Sequence, residues 1–190
     1  MIRPFNPIPA LKEEHREIIR ELELIEKDLR KLGLIAGANG HRHNVRNAIA
    51  YVAEKVELHA EEEDEALFPL LQRFPDLARA WPVVVEQDRD LHAAFRQLLL
   101  QWSETEQRHG LGQGIPETEV YFLVQSSLRL TSTLREHMRW EEENVFAFAD
   151  RNLSDEEKAE VASRMLTVRH RPRPIASLAY RAGMHQPFTA

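Results

Sequence analysis

Residues 59–68 read HAEEEDEALF, and residues 137–146 read HMRWEEENVF. The two stretches match at the histidine, at the glutamate four positions later, at a shared aliphatic position and at the phenylalanine. Another histidine precedes each stretch at nearly the same interval, His15 before His59 and His92 before His137. This internal repeat indicates two related halves, each with one lone histidine and one His-x-x-x-Glu pair.

Apolar residues around the repeats recur every three or four positions, which is the spacing of amphipathic helices. We predict a first helix that ends near Gly33, a second that runs to about Gln72, a third that opens at Trp81 and a fourth that begins near Pro116. No stretch predicts a strand. The third helix is predicted to turn one stripe inward: Val85, Asp88, His92, Phe95, Leu99 and Trp102.

The segment Ser154–Glu157 has the Ser-x-x-Glu pattern of a capping box and predicts a fifth, shorter helix to about Arg169. Because short connections make neighbouring long helices antiparallel, the predicted fold class is all-α, an up-down-up-down four-helix bundle. Residues 1–150 form this bundle. Residues 151–190 form an additional C-terminal helix and a basic tail, packed on the bundle or extending from it. For the tail we favour a solvated state over docking on the bundle or on a partner, and its arginines are Arg164, Arg169, Arg171, Arg173 and Arg181.

Composition excludes several classes of function. The chain of 190 residues has 25 basic and 31 acidic side chains, and its net charge of −6 argues against a general nucleic-acid partner. Charged residues interrupt every apolar run before it is long enough to span a membrane, so we expect a cytoplasmic protein without a membrane partner. There is no cysteine, which removes disulfides, thiol catalysis and thiolate metal sites together.

The repeated histidines and glutamates have the spacing of metal ligands. Residues four apart lie on one helix face, so each His-x-x-x-Glu pair points at one location. In an antiparallel bundle the starts of odd helices meet the ends of even helices, which places all of these groups in one layer. Their burial is costly unless cations neutralise them. We therefore predict a metal site with the ligands His15, His59, Glu63, His92, His137 and Glu141.

Neighbouring acidic and histidine residues are predicted to lie outside this site. Glu62 and Glu143 are rotated on their helices away from the +4 glutamates, so we place them off the core face. Five other histidines are expected to be solvated surface residues, and they are His41, His43, His109, His170 and His185.

The order His, His-x-x-x-Glu, His, His-x-x-x-Glu over four helices resembles the hemerythrin-like domains, also called HHE cation-binding domains. The segments Glu14-His15-Arg16, His59–Pro69 and His137–Phe146 are similar to their signature segments, and the resemblance covers about residues 11–150. It implies a non-haem di-iron centre held by the six ligands, with Glu63 and Glu141 as bridges. The expected cofactor is two iron ions, in preference to manganese or zinc.

The chain departs from oxygen-carrying hemerythrins at two positions. Those proteins have a His-x-x-x-His pair on the third helix, where this chain has Asp88 and His92, and their last carboxylate follows its histidine by five residues, the position of Glu142. Glu142 and Asp88 are therefore possible additional ligands. For Asp88 we favour a role as an acceptor that orients a ligand imidazole.

Three functions fit these residues. The leading prediction is a protein that binds or senses dioxygen or a related small ligand, because apolar residues adjoin the ligand layer. The alternatives are a di-iron redox enzyme that handles peroxide or nitric oxide, and a module for iron storage or sensing. No acid, base or nucleophile is identifiable outside the ligand set, and the sequence does not identify a redox partner.

Overall fold

The computed structural model describes residues 6–32, 39–77, 81–109 and 114–171. Within these ranges there is no strand, and the prediction of an all-α protein with a C-terminal helix is confirmed. The helices, with the two π-helical turns that we call π1 and π2, are α1 Pro7–Leu32, α2 Asn39–Glu62, π1 Glu63–Leu67, α3 Phe68–Leu71, α4 Trp81–Arg108, α5 Glu117–Glu141, π2 Glu142–Phe146, α6 Ala147–Asn152 and α7 Asp155–Arg169, and a short 3-10 turn spans Pro75–Leu77.

Local capping sets the start of the first and last helices. The side chain of Asn6 accepts a hydrogen bond of 3.1 Å from the amide of Ile8, and Pro7 occupies the first helical position, where its missing N–H costs nothing. At α7, Ser154 Oγ accepts from the Glu157 amide at 3.3 Å, and the Glu157 carboxylate accepts from the Ser154 amide at 2.8 Å. The predicted capping box is therefore confirmed.

The helices pack around α1 and α5. Helix α1 lies against α2 and α5, and α4 lies against α5. Helix α7 packs on the outside of this arrangement, where it contacts α1, α2 and π1. These contacts are consistent with a helical bundle that carries an additional C-terminal helix.

The buried apolar residues form two separate clusters with a polar layer between them. One cluster includes Ile18, Val52 and Leu134. The other, which we call the lower apolar cluster, includes Leu11, Ala66 and Val145. In sequence, His15 follows Leu11 and precedes Ile18, and His59 and His137 lie between the corresponding cluster members of their own helices. The predicted ligand layer thus lies where the two apolar clusters meet.

The inward stripe predicted for α4 is displaced by one residue over Val85–Leu99, whereas its last member, Trp102, is buried as predicted. The buried side chains of this helix are Val84, Leu91, Ala94, Leu98, Trp102 and Thr105. Val84 is 3% exposed, whereas the predicted Val85 is 61% exposed. One residue corresponds to a rotation of about 100° on a helix, and the observed register buries Leu91 where the predicted one would bury His92.

The prediction of a solvated basic tail is also wrong for two of its arginines. Arg169 and Arg171 form ion pairs with carboxylates of the bundle, because α7 runs over an acidic surface. Arg164 pairs with Glu160 of its own helix. Arg173 and Arg181 lie outside the described residues.

Only some of the five histidines that we predicted to be solvated surface residues are exposed. His43 and His170 are exposed, but His41 is half-buried 3.6 Å from Asp28. His109 is half-buried as well, because its Nε2 hydrogen-bonds Glu119 at 2.9 Å. His185 lies outside the described residues. None of the described helices is long and apolar enough to cross a membrane, and the cytoplasmic location stays a prediction.

Candidate metal centre

A π-helical turn begins at, or directly after, the glutamate of each His-x-x-x-Glu pair. Glu63 is the first residue of π1, and Glu141 is the last residue before π2. A π turn adds one residue to a helix and is frequent at functional sites. The added residue lets the glutamate face the polar layer while Leu67 and Val145, further along, still enter the apolar cluster. Helical periodicity alone does not reveal these turns, and they were not predicted.

Two imidazoles of the predicted ligand set meet nitrogen to nitrogen. The Nε2 atoms of His15 and His59 lie 2.8 Å apart. The opposite ring nitrogens meet carboxylates, Nδ1 of His15 at 3.1 Å from Glu142 and Nδ1 of His59 at 2.9 Å from Glu14. An ionised carboxylate only accepts, so each Nδ1 carries its proton and each Nε2 directs a lone pair at the other. That arrangement requires a shared proton or a metal cation between the rings.

Two buried glutamates complete the site around this pair. Glu63 is 3% exposed and Glu141 is fully buried. Glu63 Oε1 lies 3.4 Å from His59 Nε2, and Glu141 Oε2 lies 3.5 Å from His15 Nε2. One ligand atom from each of the four residues His15, His59, Glu63 and Glu141 falls within 4.8 Å of the others.

Several polar atoms here lack a hydrogen-bond partner among the described residues. They are Oε1 of Glu63, both carboxylate oxygens of Glu141 and Nδ1 of His137. Buried polar groups are otherwise satisfied in folded proteins, because an unpaired one costs free energy. Carboxylate oxygens and imidazole nitrogens are donors suited to iron, manganese or zinc. The residues present therefore fit a bound metal cation.

The pKa values of this cluster indicate which of its groups hold protons when no metal is bound. Burial, followed by the proximity of His59 and His137, lowers the pKa of His15 to about 2. Burial disfavours charge on His59 too, but the carboxylates of Glu63 and Glu14 raise its pKa well above the usual value. Burial and the charge of Glu63 raise the pKa of Glu141 well above its usual value. A metal cation therefore displaces protons when it binds.

The remaining predicted ligands occupy different positions. His137 directs Nε2 at Glu141 Oε1, 3.3 Å away, and thus faces the cluster. His92 is exposed on α4, one residue after the inward Leu91, and stands outside the group of four. Its role as a ligand stays a prediction.

Glu142 and Asp88, the two possible additional ligands, lie at different positions relative to the cluster. Glu142 lies at the outer nitrogen of His15, where it orients the ring. Asp88 Oδ1 lies 3.5 Å from His137 Nε2, on the side that faces the cluster, which is the position of a ligand more than of an outer acceptor. Burial, then Glu63 and Asp64, raise the pKa of Asp88 to about 7.

Three side chains at the site were missed or misplaced by the sequence reasoning. Glu14 orients His59. It is the residue before His15 in the segment Glu14-His15-Arg16, but the sequence analysis predicted no role for it. Glu62 was placed off the core face but is fully buried, because its carboxylate pairs with Arg169 under α7. Arg169 was counted among the arginines of a solvated tail, and only the packing of α7 shows that it binds Glu62 and Glu14.

A helical protein with a buried cluster of histidines and carboxylates between two apolar clusters belongs to the metal-binding bundles. The model of the hemerythrin HHE cation-binding domain matches residues 6–149. The chain therefore belongs to the hemerythrin HHE family, as the resemblance of its repeats predicted. Searches of curated proteins and of solved structures gave no significant match.

Proposed function

We propose that this protein binds two iron ions and, through them, dioxygen or a related small ligand. The observation that carries the proposal is the pair of facing Nε2 atoms of His15 and His59, 2.8 Å apart, with both Nδ1 atoms held by carboxylates. This is the arrangement in which an outer acceptor fixes the tautomer of a ligand histidine. The match to a cation-binding family supports it independently.

The number and kind of donors favour two iron ions. A single tetrahedral ion needs four ligands, whereas six donors are predicted, and the four-residue cluster already contains two carboxylates able to bridge. Mixed imidazole and carboxylate ligands in a helical bundle are typical of di-iron centres. Manganese and zinc share these ligand preferences but have less support from the family resemblance.

The surroundings of the cluster favour a small apolar ligand. Phe146 is fully buried and stacks on the His15 ring at a centroid distance of 5.2 Å, so it excludes water from that side. Leu67 and Val145 are fully buried below the layer. Asp88 is half-buried and His92 is exposed on α4, so we expect a ligand to enter from this side. Ferrous iron supplies reversible affinity for dioxygen or nitric oxide when it is bound.

One observation favours the redox enzyme as a second candidate. Asp88 places an acidic group beside His137, where oxygen carriers of this family have a histidine. An added negative charge favours the ferric over the ferrous state. A centre biased in this way is suited to electron transfer to peroxide or nitric oxide more than to reversible oxygen binding.

Metal content and absorption spectra test the proposal. The chain is reconstituted anaerobically with ferrous iron, separated from free metal and analysed for iron, and its spectrum is recorded before and after exposure to air. We expect about two iron ions per chain and a new absorption band that reduction removes. A reproducible content of one or zero would refute the di-iron proposal.

A further inference from the structure

The last residue of α7 binds carboxylates on two different helices. Nε of Arg169 donates to Glu62 of α2, and Nη2 donates both to Glu62, at 3.1 Å, and to Glu14 of α1. Glu62 is fully buried, so its charge depends on this guanidinium for compensation. Arg169 thus ties three helices together at one point.

The contact continues to a metal-binding histidine. Glu14 has one oxygen on Arg169 and its other oxygen, Oε2, accepts from His59 Nδ1 at 2.9 Å. With both oxygens engaged, the carboxylate is fixed in orientation and holds the plane of the His59 ring. The ring plane decides where Nε2, the atom directed at His15, points.

Helix α7 has apolar anchors that do not involve Arg169. Val161, Met165 and Val168 are buried, and Val161 and Met165 belong to the lower apolar cluster. Apolar burial of this kind is the larger source of stability for a docked helix. The arginine therefore contributes something other than the attachment of α7, and its contacts lead to a ligand.

We propose that α7 is a structural part of the metal centre and that Arg169 is the positioning residue that orients His59 through Glu14. The inference rests on the metal site of the proposed function and deepens it. The family match ends at residue 149, and α7 begins at Asp155. Orientation of the centre in this chain therefore depends on an element beyond the family domain.

Arg171 provides a matched control. It lies two residues further on and binds Glu65 of π1 through two hydrogen bonds of 2.8 and 2.6 Å. Both members of this pair are about half exposed, so the pair is expected to contribute little. Within the part of the chain that the structure describes, Glu65 hydrogen-bonds no ligand histidine. Loss of Arg171 therefore tests only the general effect of a missing ion pair between the bundle and the C-terminal segment.

The experiment measures Co²⁺ binding by the full chain and its Arg169→Ala and Arg171→Ala variants. Co²⁺ reports both affinity and ligand geometry through its visible absorption bands. We expect Arg169→Ala to weaken Co²⁺ binding about tenfold or more and to shift the bands, the usual consequence of losing an outer support of a ligand. Arg171→Ala should stay within about twofold of the unmodified protein with an unchanged spectrum.

A second comparison separates orientation from simple instability. Arg169→Ala leaves Glu62 buried and unpaired. The substitution is therefore also made in a Glu62→Gln background, where position 62 carries no charge. The tenfold loss and the spectral shift should persist there. In a Glu14→Ala background, which breaks the connection to His59, Arg169→Ala should cause no further loss.

The outcomes are distinguishable. Wild-type Co²⁺ affinity and spectrum in Arg169→Ala, or a loss that is additive with Glu14→Ala, would overturn the positioning role while leaving the metal site intact. An unmodified protein that binds no Co²⁺ would overturn the metal site and this inference together.

Discussion

Glu62 and Glu63 are sequence neighbours with the same side chain and different surroundings. Glu63 faces the imidazoles, whereas Glu62 faces α7 and pairs with Arg169. Both are buried, so burial alone does not identify a ligand. Glu143 is exposed and lies two residues after the buried Glu141, which makes it the suitable reference for substitutions.

Substitution of the inward glutamates should release metal. We expect Glu63→Ala and Glu141→Ala each to lower the bound iron from about two ions per chain to one or fewer, because each removes a carboxylate that lies between histidines. Glu143→Ala should retain full content. Elemental analysis after anaerobic reconstitution measures this, and equal losses in all three variants would show that general acidity, and not position, retains the metal.

At the scale of the element, sequence spacing predicted helices well and their rotation less well. The predicted ends of the first and second helices, the predicted starts of the third and fourth and both limits of the fifth agree with the structure within a few residues, because glycine, proline and capping patterns act locally. The rotation of α4 was wrong, since Val84 and Val85 are equally apolar and only packing against α5 decides between them. The six ligands were proposed from spacing, but the carboxylates that orient them required the structure.

The π turns had no signature in the periodicity, and π1 offers a test of its own. Deletion of Asp64, an exposed residue of π1, should convert the turn to an ordinary α-helical turn. Leu67 and Leu71 would keep their orientation, because a π turn holds one residue more than the α turn that replaces it, but Glu63 would lose the widened turn that directs its carboxylate at the imidazoles. We expect the free energy of unfolding to fall by about 1–3 kcal/mol, the cost of leaving that buried carboxylate without its partner.

Chemical denaturation monitored by circular dichroism measures that change. Asp64→Ala, which keeps the chain length, should remain close to the unmodified protein. A deletion variant with unaltered stability would show that the extra residue of π1 is not needed for the fold.

At the scale of the whole molecule, metal binding should stabilise the fold. The metal-free protein buries three carboxylate oxygens and one imidazole nitrogen of the site without hydrogen-bond partners among the described residues, and an ion that binds only the folded state removes this cost. At a free metal concentration about a hundred times the dissociation constant, the gain is about 2.7 kcal/mol. For a chain of this size we expect a rise in melting temperature of about 5–10 °C.

Thermal melts with ferrous iron under anaerobic conditions, and with a chelator, measure this rise. Glu141→Ala serves as the reference and should show a much smaller increase. An unmodified protein whose melting temperature is the same with and without metal would contradict the assignment of the layer as a binding site.

The layer between the two apolar clusters has a consequence for how the molecule comes apart. Without an ion, each cluster is held together by its own contacts, and the two communicate across groups that repel or lack partners. With ions in place, ligands from α1, α2 and α5 are joined, and opening one cluster breaks bonds that belong to both. We therefore expect bound metal to couple the two clusters. Amide hydrogens of the two clusters should exchange at separate rates in the metal-free chain and at a common, slower rate in the loaded one.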